Sequence, residues 1–100
     1  MFGKLGEAKK MAEEMKIKLA AISVEGSAEN GKIKVRANGN KEIISVEIDP
    51  EYLNVDKKEE LEDVLVIAIG RAFEQANAVS EAEMKAMMGS MMPGLGNLFS

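Results

Sequence analysis

Two Asn-Gly dipeptides, Asn30-Gly31 and Asn38-Gly39, punctuate a run of β-branched alternation that extends from residue 22 to residue 49. Asn and Gly tolerate the positive φ that tight hairpin turns demand, so Asn-Gly between alternating segments is the strongest short-range hairpin signal a sequence offers. The stretch therefore predicts three antiparallel strands in a meander.

Side-chain alternation sets the registers. A two-residue loop at Asn30-Gly31 places Val24, Gly26 and Ala28 opposite Ala37, Val35 and Ile33 on one face. It places Glu25, Ser27 and Glu29 opposite Arg36, Lys34 and Lys32 on the other. At the second turn a two-residue loop would set Val35 against Glu42, whereas a four-residue loop, Asn38 to Lys41, sets Val35 against Ile44 and Ile33 against Val46. The four-residue loop is preferred because it keeps apolar side chains together. On the wet face Glu47 then joins Glu29 opposite Lys32, and Lys34, between Ser27 and Ser45, has no acidic neighbour. The apolar face needs a cover.

Helices on either side supply it. Leu5, Ala8, Ala12, Met15, Leu19 and Ile22 recur at spacings of three and four, predicting a first helix. With Leu5 at position a of a heptad, Lys9 and Lys16 fall at e, Lys4 and Lys18 at g, and Lys10 at f, so lysines flank the apolar seam. They read either as solvated stems covering apolar neighbours or as a cationic ridge for phosphates. The third strand ends at Asp49-Pro50, since proline cannot continue a ladder, and Tyr52 and Leu53 are the expected packing anchors of the connection. Asp56, with Glu59 three residues on, is the expected cap of a second helix that reaches about Met88. Its stripe is Leu61, Leu65, Ala68, Ala72, Ala76 and Val79.

Six consecutive apolar residues, Val64 to Ile69, interrupt that helix's amphipathy. At about 100° per residue they cover its whole circumference, and a three-stranded sheet covers only one side. A second copy of the same helix is the economical partner, with Val64, Leu65, Ile67, Ala68, Ile69, Ala72, Phe73 and Ala76 as the expected dimer interface. A chain of 100 residues with 4% aromatics and no Trp has a marginal core of its own, so oligomerisation is an expected supplement. Residues 1–88 form the expected single domain, and 89–100, GSMMPGLGNLFS, read either as a frayed flexible tail or as a Met-rich docking strip for a protein partner.

Composition excludes much chemistry. No Cys or His is present, which removes thiolate metal sites and the commonest general base. The serines have no evident activating partner, and Asp49, Glu51 and Asp56 are explained by a strand end and a helix cap. Neither catalysis, a metal nor a cofactor is expected. No apolar run approaches a membrane span, and MFGKLGEAKK has no apolar leader core, so a soluble cytoplasmic protein is expected. The formal charge is −4, yet residues 1–41 carry nine basic and five acidic side chains while residues 42–100 carry four and twelve. The chain is electrically polarised.

A Met- and Lys-rich amphipathic helix, then VEGSAENGKIKVRANGNKEIISVEIDPEYL, then LEDVLVIAIGRAFEQANAVSEAEMKAMM and a PGLGNLF tail together resemble the YbaB/EbfC family of bacterial nucleoid-associated proteins. The likeness covers essentially the whole chain. It implies an α+β protomer of order α-β-β-β-α, an intertwined homodimer, a nucleoid location, and binding of duplex DNA with low sequence specificity. The expected phosphate contacts are Lys4, Lys9, Lys10, Lys16 and Lys18, with Lys34 and Arg71 secondary. The rival expectation is a dimeric protein-interaction adaptor with little affinity for DNA.

Overall fold

The computed structural model describes the backbone of residues 2–91 and the side chains of residues 6–89. Helix α1 (Phe2–Ala20) is followed by strands β1 (Ser23–Ala28), β2 (Ile33–Asn38) and β3 (Ile43–Ile48). Two 3-10 turns, Pro50–Tyr52 and Val55–Lys57, lead into helix α2 (Lys58–Met91). The sheet is an antiparallel meander of order β1-β2-β3, and the architecture is α-β-β-β-α in the α+β class.

The first hairpin has the expected register, with Val24, Gly26 and Ala28 opposite Ala37, Val35 and Ile33. Asn30 (φ 57) and Gly31 (φ 85) take the left-handed conformations of a type I′ turn, closed by the Lys32 N–H donating to the Glu29 carbonyl at 3.2 Å.

The second hairpin differs from the four-residue expectation. Lys41 N donates to Asn38 O (3.0 Å), Asn38 N donates to Glu42 O (3.0 Å), and Lys41 is left-handed at φ 64. That is a three-residue loop. A bulge follows, because Arg36 pairs with Ser45 while Ala37 pairs with Ile43, leaving Ile44 extra. Val35 consequently faces Val46 and Ile33 faces Ile48, two residues from the expected partners. Both registers keep Ile33, Val35, Val46 and Ile48 on the apolar face and differ only at the bulge, where Ile43 takes the place opposite Ala37, so alternation along most of the strand could not distinguish them.

The loop is built by one side chain. Asn38 is buried, and its Oδ1 accepts from Asn40 N (2.9 Å) and Glu42 N (3.1 Å) while Nδ2 donates to Glu42 Oε1 (3.0 Å). The same loop holds the end of α1. Gly39 N donates to the carbonyls of Leu19 (2.9 Å) and Ile22 (3.1 Å), and Asn40 Nδ2 donates to that of Lys16 (2.9 Å). Carbonyls in the last turns of α1 thereby gain further donors from a distant strand connection.

The core consists of Ala28, Ile33, Val35, Ala37, Tyr52, Val64, Ala68 and Ala72. Helix α2 lies over β1 and β2 rather than over the whole sheet. On β3, Ile43, Ile44 and Val46 therefore remain 46, 54 and 43% exposed. Tyr52 is buried as expected, but Leu53 is 69% exposed: the turn that carries both can aim only one of them at the core. Asn54 caps the 3-10 turn Val55–Lys57 that runs directly into α2, its Oδ1 accepting from Lys57 N at 3.1 Å, so the expected cap Asp56 lies inside that turn. Helix α2 continues past Met88 to Met91; residues 92–100 lie outside the described residues. Among the described residues no helix is long and apolar enough to cross a membrane.

At 34 residues α2 is far longer than the six-residue strands it covers. Its last turns overhang the sheet and meet α1, where Lys18 Nζ lies 2.6 Å from Glu83 Oε2. Met11, Met15 and Met87 line the shallow groove between the two helices. The buried stripe of α1 runs through Met15 and Leu19, with Met11 and Ile22 half-buried, while Ala8 and Ala12 are exposed. The expected stripe was thus offset on its N-terminal half, because long methionines reach α2 where alanines do not.

Candidate nucleic-acid interface

Of the five α1 lysines singled out, three are exposed and without an ion-pair partner among the described residues: Lys9, Lys10 and Lys16. Seven residues apart, Lys9 and Lys16 fall within about 20° of each other around the helix and roughly 10.5 Å apart along it. They form one flank. Lys10, about 100° further round, lines a shallow depression with Glu7, Met11 and Glu14 and is not part of that flank. Lys18 belongs to the opposite flank, facing α2 together with Glu14, and is held by Glu83. The side chain of Lys4 lies outside the described residues. The heptad expectation of lysines on both sides of the seam therefore reduces to a ridge on one side.

The secondary candidates are engaged elsewhere. The corrected register puts Glu47, not Ser45, opposite Lys34, so the reason for treating it as an uncommitted cation is gone. Arg71 Nη1 donates to the Ser27 carbonyl at 2.8 Å, closing the outer edge of β1. On the same wet face Arg36 lies 3.8 Å from Glu25. Lys32 meets Glu51 at 2.9 Å, and their hydrogen bond holds the lysine above, and the carboxyl below, its ordinary pKa range. Lys32 and Arg36 thus have acidic partners in place, whereas Lys9, Lys10 and Lys16 of α1 have none among the described residues.

Lys41 was not singled out by sequence. It is exposed, and the loop that carries it is tied to α1 by Asn40 and Gly39, so Lys41 stands at the same end of α1 as Lys16. Only the turn chemistry of Asn38-Gly39 hinted at this, and it hinted at a hairpin rather than at the helix the hairpin grips. Together Lys9, Lys10, Lys16 and Lys41 are point charges on flexible stems, suited to phosphate oxygens and unsuited to bidentate reading of base edges. No group of His, Cys, Asp or Glu among the described residues has the arrangement of a metal site.

The expected dimer residues divide three ways. Val64, Ala68, Ala72 and Ala76 are buried within the protomer, the three alanines at 0% exposure. The close approach they allow is used by this chain's own β1, with Gly26 against Ala68 and Ala72. Leu65, Ile69 and Phe73 are half-buried, on the flank of α2 away from Arg71 and thus on the β3 side. Ile67 is 47% exposed and shares the Arg71 flank.

Comparison with known proteins adds a family. A model described as the YbaB/EbfC DNA-binding family matches residues 1–91. A nucleoid-associated protein of Flavobacterium johnsoniae is 33% identical over 102 residues, covering 99% of this chain and 94% of that one. One from Thermoanaerobacter pseudethanolicus is 39% identical over 90 residues, covering 89% and 78%, and one from Rhodopseudomonas palustris is 41% identical over 86 residues, covering 84% and 82%. The crystal structure of an uncharacterized protein from Helicobacter pylori shares the fold, with a TM-score of 0.66, 22% identity and 90% coverage of each chain.

Proposed function

This chain belongs to the YbaB/EbfC DNA-binding family of nucleoid-associated proteins, and we propose that it binds duplex DNA in the nucleoid as a homodimer, through phosphates rather than base edges. The observation that carries the contact surface is the ridge on α1: Lys9 and Lys16 share one flank and, with Lys10 beside them on the helix, are exposed and without an ion-pair partner among the described residues, whereas Lys18, Lys32 and Arg36 each have an acidic partner. Lys41 extends the ridge. Contacts of this kind position a protein on the duplex without selecting a sequence, and dimerisation doubles their number.

Each phosphate neutralised on B-DNA contributes about −0.9 to the slope of log affinity against log salt. Titration of a random-sequence duplex by fluorescence anisotropy at several salt concentrations is therefore the direct test. Lys9→Ala with Lys16→Ala should weaken binding to all sequences alike and flatten the slope by about one unit for each lysine removed. An unchanged slope, or a shift in preferred sequence, would refute the phosphate account.

The second copy belongs on the uncovered side of the sheet. Ile43, Ile44 and Val46 on the exposed edge strand β3 adjoin the Leu65, Ile69 and Phe73 flank of α2, making one apolar surface that a lone protomer leaves wet. The radius of gyration, 18.4 Å, compared with about 13 Å for a compact chain of this length, is that of an elongated protomer. Val46→Asp places a charge on this surface without entering the protomer core. The variant should sediment as a folded monomer and bind DNA more weakly; a variant that remains dimeric would place the interface elsewhere.

A further inference from the structure

We propose that Asn30 is a site of spontaneous deamidation in the folded protein, and that the identical dipeptide Asn38-Gly39 is protected by its hydrogen bonds. Glycine after asparagine leaves the following amide nitrogen unshielded, which makes both dipeptides chemically susceptible in an unfolded chain. In the fold their surroundings are opposite.

Asn38 is 7% exposed, and both ends of its side-chain amide are occupied, Oδ1 by two main-chain N–H groups and Nδ2 by Glu42. The nitrogen that would attack, Gly39 N, donates to Leu19 O and Ile22 O. Freeing it means detaching the end of α1. A Cβ on Gly39 would stand 2.9 Å from Leu19 Cδ2, so the peptide also has no room to turn. Asn30 stands at an exposed hairpin tip, and neither its side chain nor Gly31 N has a hydrogen-bond partner among the described residues. The tip is held by the single Lys32 N to Glu29 O bond. Rotation of the Asn30-Gly31 peptide there disturbs no packed side chain.

The reaction needs only water. Gly31 N attacks Asn30 Cγ and gives its proton to solvent base, the Cγ–Nδ2 bond breaks, and Nδ2 leaves as ammonia with a proton from water. The resulting succinimide is then opened by water at Cγ, giving aspartate, or at the main-chain carbonyl carbon, giving isoaspartate. No oxidant or cofactor takes part. Each event adds one negative charge to a chain whose formal charge is −4. The isoaspartate product also inserts a methylene into the backbone at a turn whose two-residue length fixes the β1–β2 register.

The test is timed incubation of the full chain at mildly alkaline pH, folded and in urea, followed by cleavage after lysine. Asn30 then lies in the peptide 19–32 and Asn38 in 35–41. In the folded protein the 19–32 peptide should gain one mass unit and split chromatographically into aspartate and isoaspartate forms while 35–41 stays unchanged; in urea both should convert at comparable rates. Conversion of 35–41 as fast as 19–32 in the folded protein would overturn the proposal. So would an unchanged 19–32 peptide over the time in which it converts in urea.

Discussion

Gly26→Ala is expected to remove most of the protein's stability. Gly26 sits on the covered face of β1, opposite Val35, at the point where α2 crosses. A Cβ there would lie 2.8 Å from Ala72 Cα and closer still to Ala72 N and Ala68 O. These are main-chain atoms in the interior of a helix, so no side-chain rotation relieves the overlap. The helix must lift, and lifting it uncovers Ile33, Val35, Ala68 and Ala72, all of which are fully buried. A loss of about 4 kcal/mol or more follows, in the range reserved for the severest single substitutions, from a fold whose total is about 5–15 kcal/mol. Urea denaturation of the variant beside Gly70→Ala provides the check. Gly70 is an exposed helical glycine with open space where its Cβ would stand, and alanine there should stabilise by up to about 1 kcal/mol. Equal midpoints for the two variants would contradict the crossing geometry.

The second large effect is expected at Asn38. Alanine there strips the partner from two main-chain donors, Asn40 N and Glu42 N, and from Glu42 Oε1. At about 1–3 kcal/mol for each buried donor left unpaired, and with water able to reach the rim of the loop, the cost is about 2–4 kcal/mol. The damage extends to α1, whose last carbonyls depend on Gly39 N and Asn40 Nδ2 being held in position. Asn38→Asp discriminates between acceptor and donor roles: it retains an oxygen for the two N–H groups but sets a carboxylate against Glu42. Its stability should fall between wild type and alanine and recover as acid protonates the pair. Urea midpoints measured across pH decide this, and a pH-independent deficit equal to that of alanine would show that the acceptor bonds carry no weight.

Much of this fold was legible from residues 22–49 because the signals there are local. Type I′ geometry follows from Asn-Gly itself, so the first hairpin's register could be written from sequence. At the second hairpin apolar alternation pointed to a four-residue loop, whereas Asn38 Oδ1 and the claim of α1 on the Gly39 N–H set a three-residue loop followed by a bulge. Those are tertiary contacts, and no alternation pattern contains them. The alanine stripe of α2 correctly signalled a close backbone approach but not whose backbone: β1 of the same chain offers a glycine at that place. Local spacing likewise identified the exposed lysines of α1, with Lys9 and Lys16 on one flank, while the partner that claims Lys18 lies on the far turns of α2. Lys41 escaped notice because its neighbourhood is set by a loop gripping a helix, not by its own sequence context.

The packed core draws on β1, β2, the Tyr52 turn and α2, and contains no residue of α1. The stability of the fold thus rests mainly on the sheet, the Tyr52 turn and α2. Apart from Met15 and Leu19, which are buried, the α1 side chains from residue 7 to residue 20 are exposed or half-buried, and surface substitutions of that kind usually change stability by no more than about 0.5 kcal/mol. Charges along α1 can therefore be added, removed or reversed with little risk of unfolding the molecule. The divergence this permits in the first helix stands against the narrow choice at Gly26 and Asn38, where the architecture leaves almost no alternatives.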